Sequence, residues 1–125
     1  MGDAPIEPGT GSDADAPPLV GRTFASTEVR GRDPVPGSTV RITFREGGLA
    51  AKAGCNTLFG SATWTGGVLA APMLASTMMA CSPELMGQDT WLAELLQSNP
   101  ALTLDASTLT LGDGGYGLVL VETEA

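Results

Sequence analysis

The sequence predicts a mainly β domain of the α+β kind: an antiparallel, curved or barrel-like sheet with one packed amphipathic helix. Two observations carry this. Short runs of alternating apolar and polar residues are interrupted by glycine or proline turns at spacings of roughly 8–12 residues, the habit of small sheets and barrels. One segment, Ser82 to Pro100, instead repeats its leucines with helical spacing.

The first 18 residues, MGDAPIEPGTGSDADAPP, hold one isolated Ile6, four acids (Asp3, Glu7, Asp13, Asp15) and no base. Such a stretch buries too little apolar surface to offset its ordering entropy. Residues 1–18 are therefore expected to be a disordered acidic tether, and residues 19–125 the domain. The fold should open at LVGRTFAS, Leu19 to Ser26. Val29 to Ser38 carries two prolines and is expected as a loop. Val40, Ile42 and Phe44 then alternate with Arg41, Thr43 and Arg45, as a half-buried antiparallel strand does. Glu46-Gly47-Gly48 turns the chain back through LAAKAGC, Leu49 to Cys55.

LFGSATW, Leu58 to Trp64, reads as the next strand, and Thr65-Gly66-Gly67 turns it into VLAAPM, Val68 to Met73. Near the end, Leu102–Leu111 and Gly117–Glu124 are strands around the corner Gly112-Asp113-Gly114-Gly115-Tyr116-Gly117. That corner lacks the Lys-Ser/Thr of a phosphate loop and reads as a hairpin turn on which Tyr116 packs, with a surface contact as the alternative for Tyr116. In the helix, Ser82 is the expected N-cap, Pro83 its first residue, and Glu84 an acid at the positive dipole end. Leu85, Leu92, Leu95 and Leu96 fall on one stripe with Trp91 beside it, and Asn99-Pro100 ends the helix. Gly87 costs about 1 kcal/mol relative to alanine, so the helix must gain its stability by packing on the sheet.

Composition excludes much. The net charge is −8, which argues against nucleic acid as a partner. All six bases lie in the first half, and from Ala53 onward there are seven acids and no base. The two halves are expected to pair in space; an acidic face steering a basic partner is the alternative. No apolar run is long enough to span a membrane. A Pro/Gly/Asp tether suits a secreted or lipid-anchored bacterial protein, so any membrane association is expected only through an N-terminal lipid anchor. The chain has no histidine, which removes Ser-His-Asp and Cys-His nucleophile pairs and histidine zinc sites. No catalytic residue, metal set or cofactor is expected, and the chain is expected to be a monomer.

The candidate site residues are few. Cys55 and Cys81, 26 apart, are read first as a structural disulfide; two buried thiols or a reactive thiol are the alternatives. Asn56, after Gly54-Cys55, reads as a left-handed or turn residue whose amide caps local backbone, with ligand contact as the alternative. Ser76 and Thr77 lead into Met78-Met79, a strand end packing methionines into the core or an adaptable apolar binding surface. Glu84, Asp89 and Glu94 are assigned to the solvated side of the helix rather than to a carboxylate pair.

Taken together, LxGxxF (Leu19, Gly21, Phe24), then Phe44, Gly47 or Gly48, Leu49, Gly54-Cys55-Asn56 and Gly60, then LASTMMAC (Leu74 to Cys81), a helix and a terminal LTL…GxxLVL resemble the META domain family. Within it they resemble the HslJ-like heat-shock lipoproteins. The likeness covers Leu19 to about Val121. Where the family often carries an aromatic-rich segment at and beyond Asn56 to Gly60, this chain has Leu58, Phe59 and Trp64. The resemblance implies a barrel-like sheet with one helix, a bacterial envelope location, an association with heat stress and antibiotic tolerance, and no catalytic activity.

The functional expectation is a non-enzymatic envelope-stress domain that binds or supports an envelope protein or ligand, periplasmic or secreted. Its binding surface should border Gly54, Asn56, Gly60, Ser76, Thr77, Met78 and Met79. The alternatives are an inhibitor of a secreted or host hydrolase such as a lysozyme, and a carrier of a small apolar ligand.

Overall fold

The computed structural model describes residues 16–124. Eight strands and one helix follow in the order β1 (Thr23–Arg30), β2 (Arg41–Arg45), β3 (Gly48–Lys52), β4 (Thr57–Ser61), β5 (Ala75–Ser76), α1 (Pro83–Gln97), β6 (Leu102–Asp105), β7 (Thr108–Gly112) and β8 (Gly117–Thr123). The strands form one sheet in the order β5-β4-β3-β2-β1-β8-β7-β6, with antiparallel neighbours throughout.

The alternation read in β2 is realised: Ile42 and Phe44 are buried while Arg41 and Arg45 are exposed. Glu46-Gly47 forms the turn to β3, with Gly47 at φ 74° and Arg45 paired to Gly48. Two expectations are corrected. β1 does not stop near Ser26; it runs to Arg30, through an irregularity between Ser26 and Glu28, because β8 offers it a partner along that length. Pairing at long range overrides the local turn signals. Val68 to Met73 is not a strand. Gly66 and Gly67 both take positive φ, Pro72 has no N–H to donate, and isolated bridges replace the strand. Thr63 bridges Ala70 and Val68 bridges Ala101. Leu69 N donates to Pro100 O and Leu102 N to Gly67 O, both at 2.9 Å. This segment links the end of β4 to the start of β6, which gives the open sheet its barrel-like form.

The core is continuous. Phe24 meets Phe44 edge-on at 5.9 Å between ring centres, and Phe44 meets Trp64 in the same way at 5.2 Å. Trp91, Leu92, Leu95 and Leu96 of α1 join the same buried cluster as the strand leucines. The helix begins where expected, with Leu85 N donating to the Ser82 hydroxyl at 3.3 Å and Pro83 in the first turn. It ends at Ser98, whose N–H reaches Leu95 O, and the left-handed Asn99 and Pro100 carry the chain away.

The sequence draws the domain boundary at Leu19, yet ordered contacts begin before it. Ala16 packs against the core, Trp64 Nε1 donates to Pro17 O at 3.1 Å, and Arg22 donates to Pro18 O at 2.9 Å. The rest of the expected tether lies outside the described residues. Charge pairing between the halves takes a mixed form. Arg22 binds Glu122 at 2.8 Å, clasping the start of β1 to the end of β8. That hydrogen bond holds the Glu122 carboxyl below its ordinary value and raises Arg22. Arg30 pairs within its own half, with Glu28 at 2.6 Å, and also donates to Asp113 O at 3.2 Å, while Arg32 donates to Gly87 O at 2.9 Å.

Candidate functional site

Two segments meet beside the helix: the loop Ala53–Asn56 leaving β3, and the strap Leu74–Cys81 entering α1. Gly54 allows the first to lie flat on the helix, since a Cβ there would sit 3.0 Å from Leu85 O. Cys55 is disulfide-bonded to Cys81, with Cα atoms 6.3 Å apart, within the ordinary range for such a bridge. The reading of a structural disulfide is the one the structure adopts, and neither sulfur is then a free nucleophile.

Beside the bridge lies a buried polar cluster. Asp89 accepts from Cys55 N at 3.1 Å, Asn56 N at 2.9 Å and the Asn56 amide at 3.3 Å. Asn56 turns its other edge to the strap. Its Oδ1 accepts from Met79 N at 2.6 Å and from the Thr77 hydroxyl at 2.9 Å, while Nδ2 donates to Met79 O at 3.2 Å. The Thr77 hydroxyl in turn accepts from Thr57 N at 3.0 Å. Asn56 is 7% exposed and Asp89 8%, so each unmade bond would leave a desolvated group.

Two corrections follow. Asn56 is not a left-handed turn residue capping its own neighbourhood; it ties together segments more than 20 residues apart. Asp89 is not on the solvated side with Glu84 and Glu94, which are exposed, but faces inward as the acceptor for the loop. A signal for this was present. Asp89 lies four residues after Leu85, three before Leu92 and seven before Leu96, on the same helical stripe. The preceding Gln88 is also buried and binds Val35 N, the Ser38 hydroxyl and Ala53 O. The helix is therefore held by its polar residues as well as by its leucines.

The strap's methionines do not enter the core. Met78 is 92% exposed and Met79 57%. The backbone accounts for this: the strap is fixed by Asn56, Thr77 and the disulfide, so the methionine side chains need not anchor it. Between strap and helix lies a groove of about 580 Å³, lined by Met78, Met79, Met86 and Ala93, with Asn56 and Asp89 on its buried side. Ser76 is exposed and, with Ala75, forms the short edge strand β5 against β4.

Gly60 explains how the strap's entry is seated. A Cβ on Gly60 would lie 2.7 Å from Met73 O, a backbone atom with little freedom to move. Gly60→Ala is expected to lower the urea unfolding free energy by about 1–3 kcal/mol through this overpacking. Gly114→Ala, which meets nothing within 4 Å, should leave it nearly unchanged.

The Gly112–Gly117 corner is a hairpin turn, as expected, with the Asp113 side chain accepting from Gly115 N and Tyr116 N. Tyr116 packs beyond the corner, edge-on against Trp91 at 5.8 Å. Burial raises its hydroxyl pKa, and the charge of Glu94 adds to the shift.

The Asp89 carboxylate is occupied by three N–H donors. Among the described residues no group of three His, Cys, Asp or Glu side chains gathers to hold a metal ion, and no helix is long and apolar enough to cross a membrane.

Solved structures share this arrangement of strands and helix. An NMR structure of a protein is 27% identical, with a TM-score of 0.67, over 82% of this chain and 90% of that one. An NMR structure of a protein from Burkholderia xenovorans is 19% identical, also with a TM-score of 0.67, over 86% of this chain and 85% of that one, and supports the fold alone. No curated protein matches the chain. The META domain matches residues 17–125, which takes in the disulfide, the buried Asn56–Asp89 cluster and the methionine strap, and the chain belongs to the META domain family.

Proposed function

We propose that this domain is a non-enzymatic binding module of the bacterial cell envelope, of the HslJ-like kind, which supports envelope components under heat or antibiotic stress. The groove between the strap and α1 is its contact surface. META is a family of uncertain function and is not a known enzyme family.

One observation carries the reading. A rigid polar and covalent frame, made of Asn56, Asp89 and the disulfide, holds a strap whose flexible thioether side chains are turned outward. Such side chains adapt to varied apolar partners, and a fixed backbone lowers the ordering cost of binding. The disulfide supports an oxidising compartment such as the periplasm. A ligand would sit in this surface groove, because the space within the sheet is filled by Phe24, Phe44, Trp64 and leucines.

The test is survival of a bacterium lacking its own META-domain gene, complemented with this domain fused to an export signal. The exported domain should raise survival after heat or antibiotic challenge, and the same domain kept in the cytoplasm should not. Met78→Ser with Met79→Ser should abolish the benefit at an unchanged unfolding midpoint. Full benefit from that variant would remove the groove from the reading, and no benefit from the exported wild type would remove the stress role.

A further inference from the structure

The sulfur inventory of the fold is lopsided. Both cysteines are closed in one disulfide, so no free thiol stands among the described residues. The four methionines of those residues, Met73, Met78, Met79 and Met86, are exposed at 83, 92, 57 and 44%. Methionine ordinarily fills core gaps, and here leucines, phenylalanines and alanines fill them instead. Both tryptophans are buried. Thiols are the usual first targets of two-electron oxidants, and with them closed the thioethers are the most oxidisable sulfurs at the surface.

From this we propose that the strap and helix methionines, Met78 first, form a modification site: hypohalous acid converts them to sulfoxides while the fold is retained. In each event one S–O bond forms and the O–Cl bond of hypochlorous acid breaks. The sulfur loses two electrons, chlorine takes them and leaves as chloride, and the proton is released to water. Reduction by a methionine sulfoxide reductase, with a dithiol as electron donor, reverses the step.

The fold is insulated from this chemistry by how the strap is held. Met79 contributes its backbone N–H and carbonyl to Asn56, not its thioether, and Thr77 and Cys81 make the remaining attachments. A sulfoxide at Met78 or Met79 thus meets water rather than a packed neighbour. What changes is the groove, whose apolar lining is supplied by Met78, Met79 and Met86. Each sulfoxide adds a strong dipole there. The modification itself is independent of the proposed function; its consequence for binding rests on that reading.

The experiment treats the folded, disulfide-intact chain with increasing hypochlorous acid and maps added oxygen by peptide mass. At one equivalent, most of the oxygen taken up by the described residues is expected on the peptide holding Met78 and Met79, with Met73 and Met86 following and the tryptophans unmodified. The fully oxidised chain should keep its thermal midpoint to within about 2 °C, and a sulfoxide reductase should restore the original mass. In Met78→Leu with Met79→Leu, the first oxygen on the described residues should move to Met73 or Met86. Oxygen landing first on a tryptophan or on the disulfide, or loss of cooperative unfolding once the methionines are oxidised, would overturn the proposal. The survival assay scores the groove separately, so failure of one does not imply failure of the other.

Discussion

Replacing Asp89 by alanine is expected to lower the unfolding free energy by about 3 kcal/mol, which is a large loss for a single side chain. The carboxylate serves two backbone N–H groups and one amide N–H in a buried setting, and alanine leaves all three without an acceptor. Asn56→Ala should cost a comparable amount, because it strips Met79 N and the Thr77 hydroxyl of their acceptor. The two changes should not add. The Asn56 amide donates directly to Asp89, and either change already removes that bond, so the double variant should fall short of the sum by at least about 1 kcal/mol. Urea denaturation of the four chains measures this. If Asp89→Ala unfolds at the wild-type midpoint, the buried cluster is not what holds loop to helix.

The second large effect is covalent. Reduction of the Cys55–Cys81 bridge is expected to cost about 3.5 kcal/mol, the chain-entropy value for a closed loop of this length. Against a total stability of roughly 5–15 kcal/mol for a small domain, this is a substantial share. The loop it closes contains β4, β5 and the strap, so the loss should be concentrated there. Hydrogen exchange after reduction should accelerate at Thr57 and Thr77, whose amides pair β4 with the strap, before it does at Phe24 or Phe44. Equal acceleration throughout would show that the bridge stabilises the whole domain evenly. Cys55→Ala with Cys81→Ala should reproduce the reduced chain, and a midpoint unchanged by either treatment would rule out the predicted contribution.

The sequence made some of this plain and hid the rest for identifiable reasons. β2 was legible because its two faces differ cleanly, with Ile42 and Phe44 inward between arginines. The helix was legible from its caps and leucines. The length of β1 was not, since its ladder depends on β8, about 90 residues away, and local turn residues pointed the other way. Residues 68–73 looked like a strand by composition, but Gly66, Gly67 and Pro72 decide the backbone there.

At the site, the disulfide and the neighbouring motif residues are legible in the sequence, but their central partner, Asp89, is not. Asp89 carries a charge that points to solvent by residue type, although its spacing from Leu85 and Leu92 places it inside. The methionines show the opposite difficulty. Their apolar character suggested burial, and only the polar anchoring of the backbone beside them reveals why they can remain outside.

The sheet order also has a kinetic meaning. β1 sits in the middle of the sheet, between β2 and β8, so one of its edges waits for the last strand of the chain. During synthesis the first strand can find β2 early, but its longer ladder has no partner until Gly117–Thr123 has emerged. Contacts that distant in sequence make for slow folding. The partly made chain therefore stays loose and open to other partners, and the sheet closes only after translation of the domain is finished. The bridge at Cys55 and Cys81 joins a more local stretch and can form before that closure.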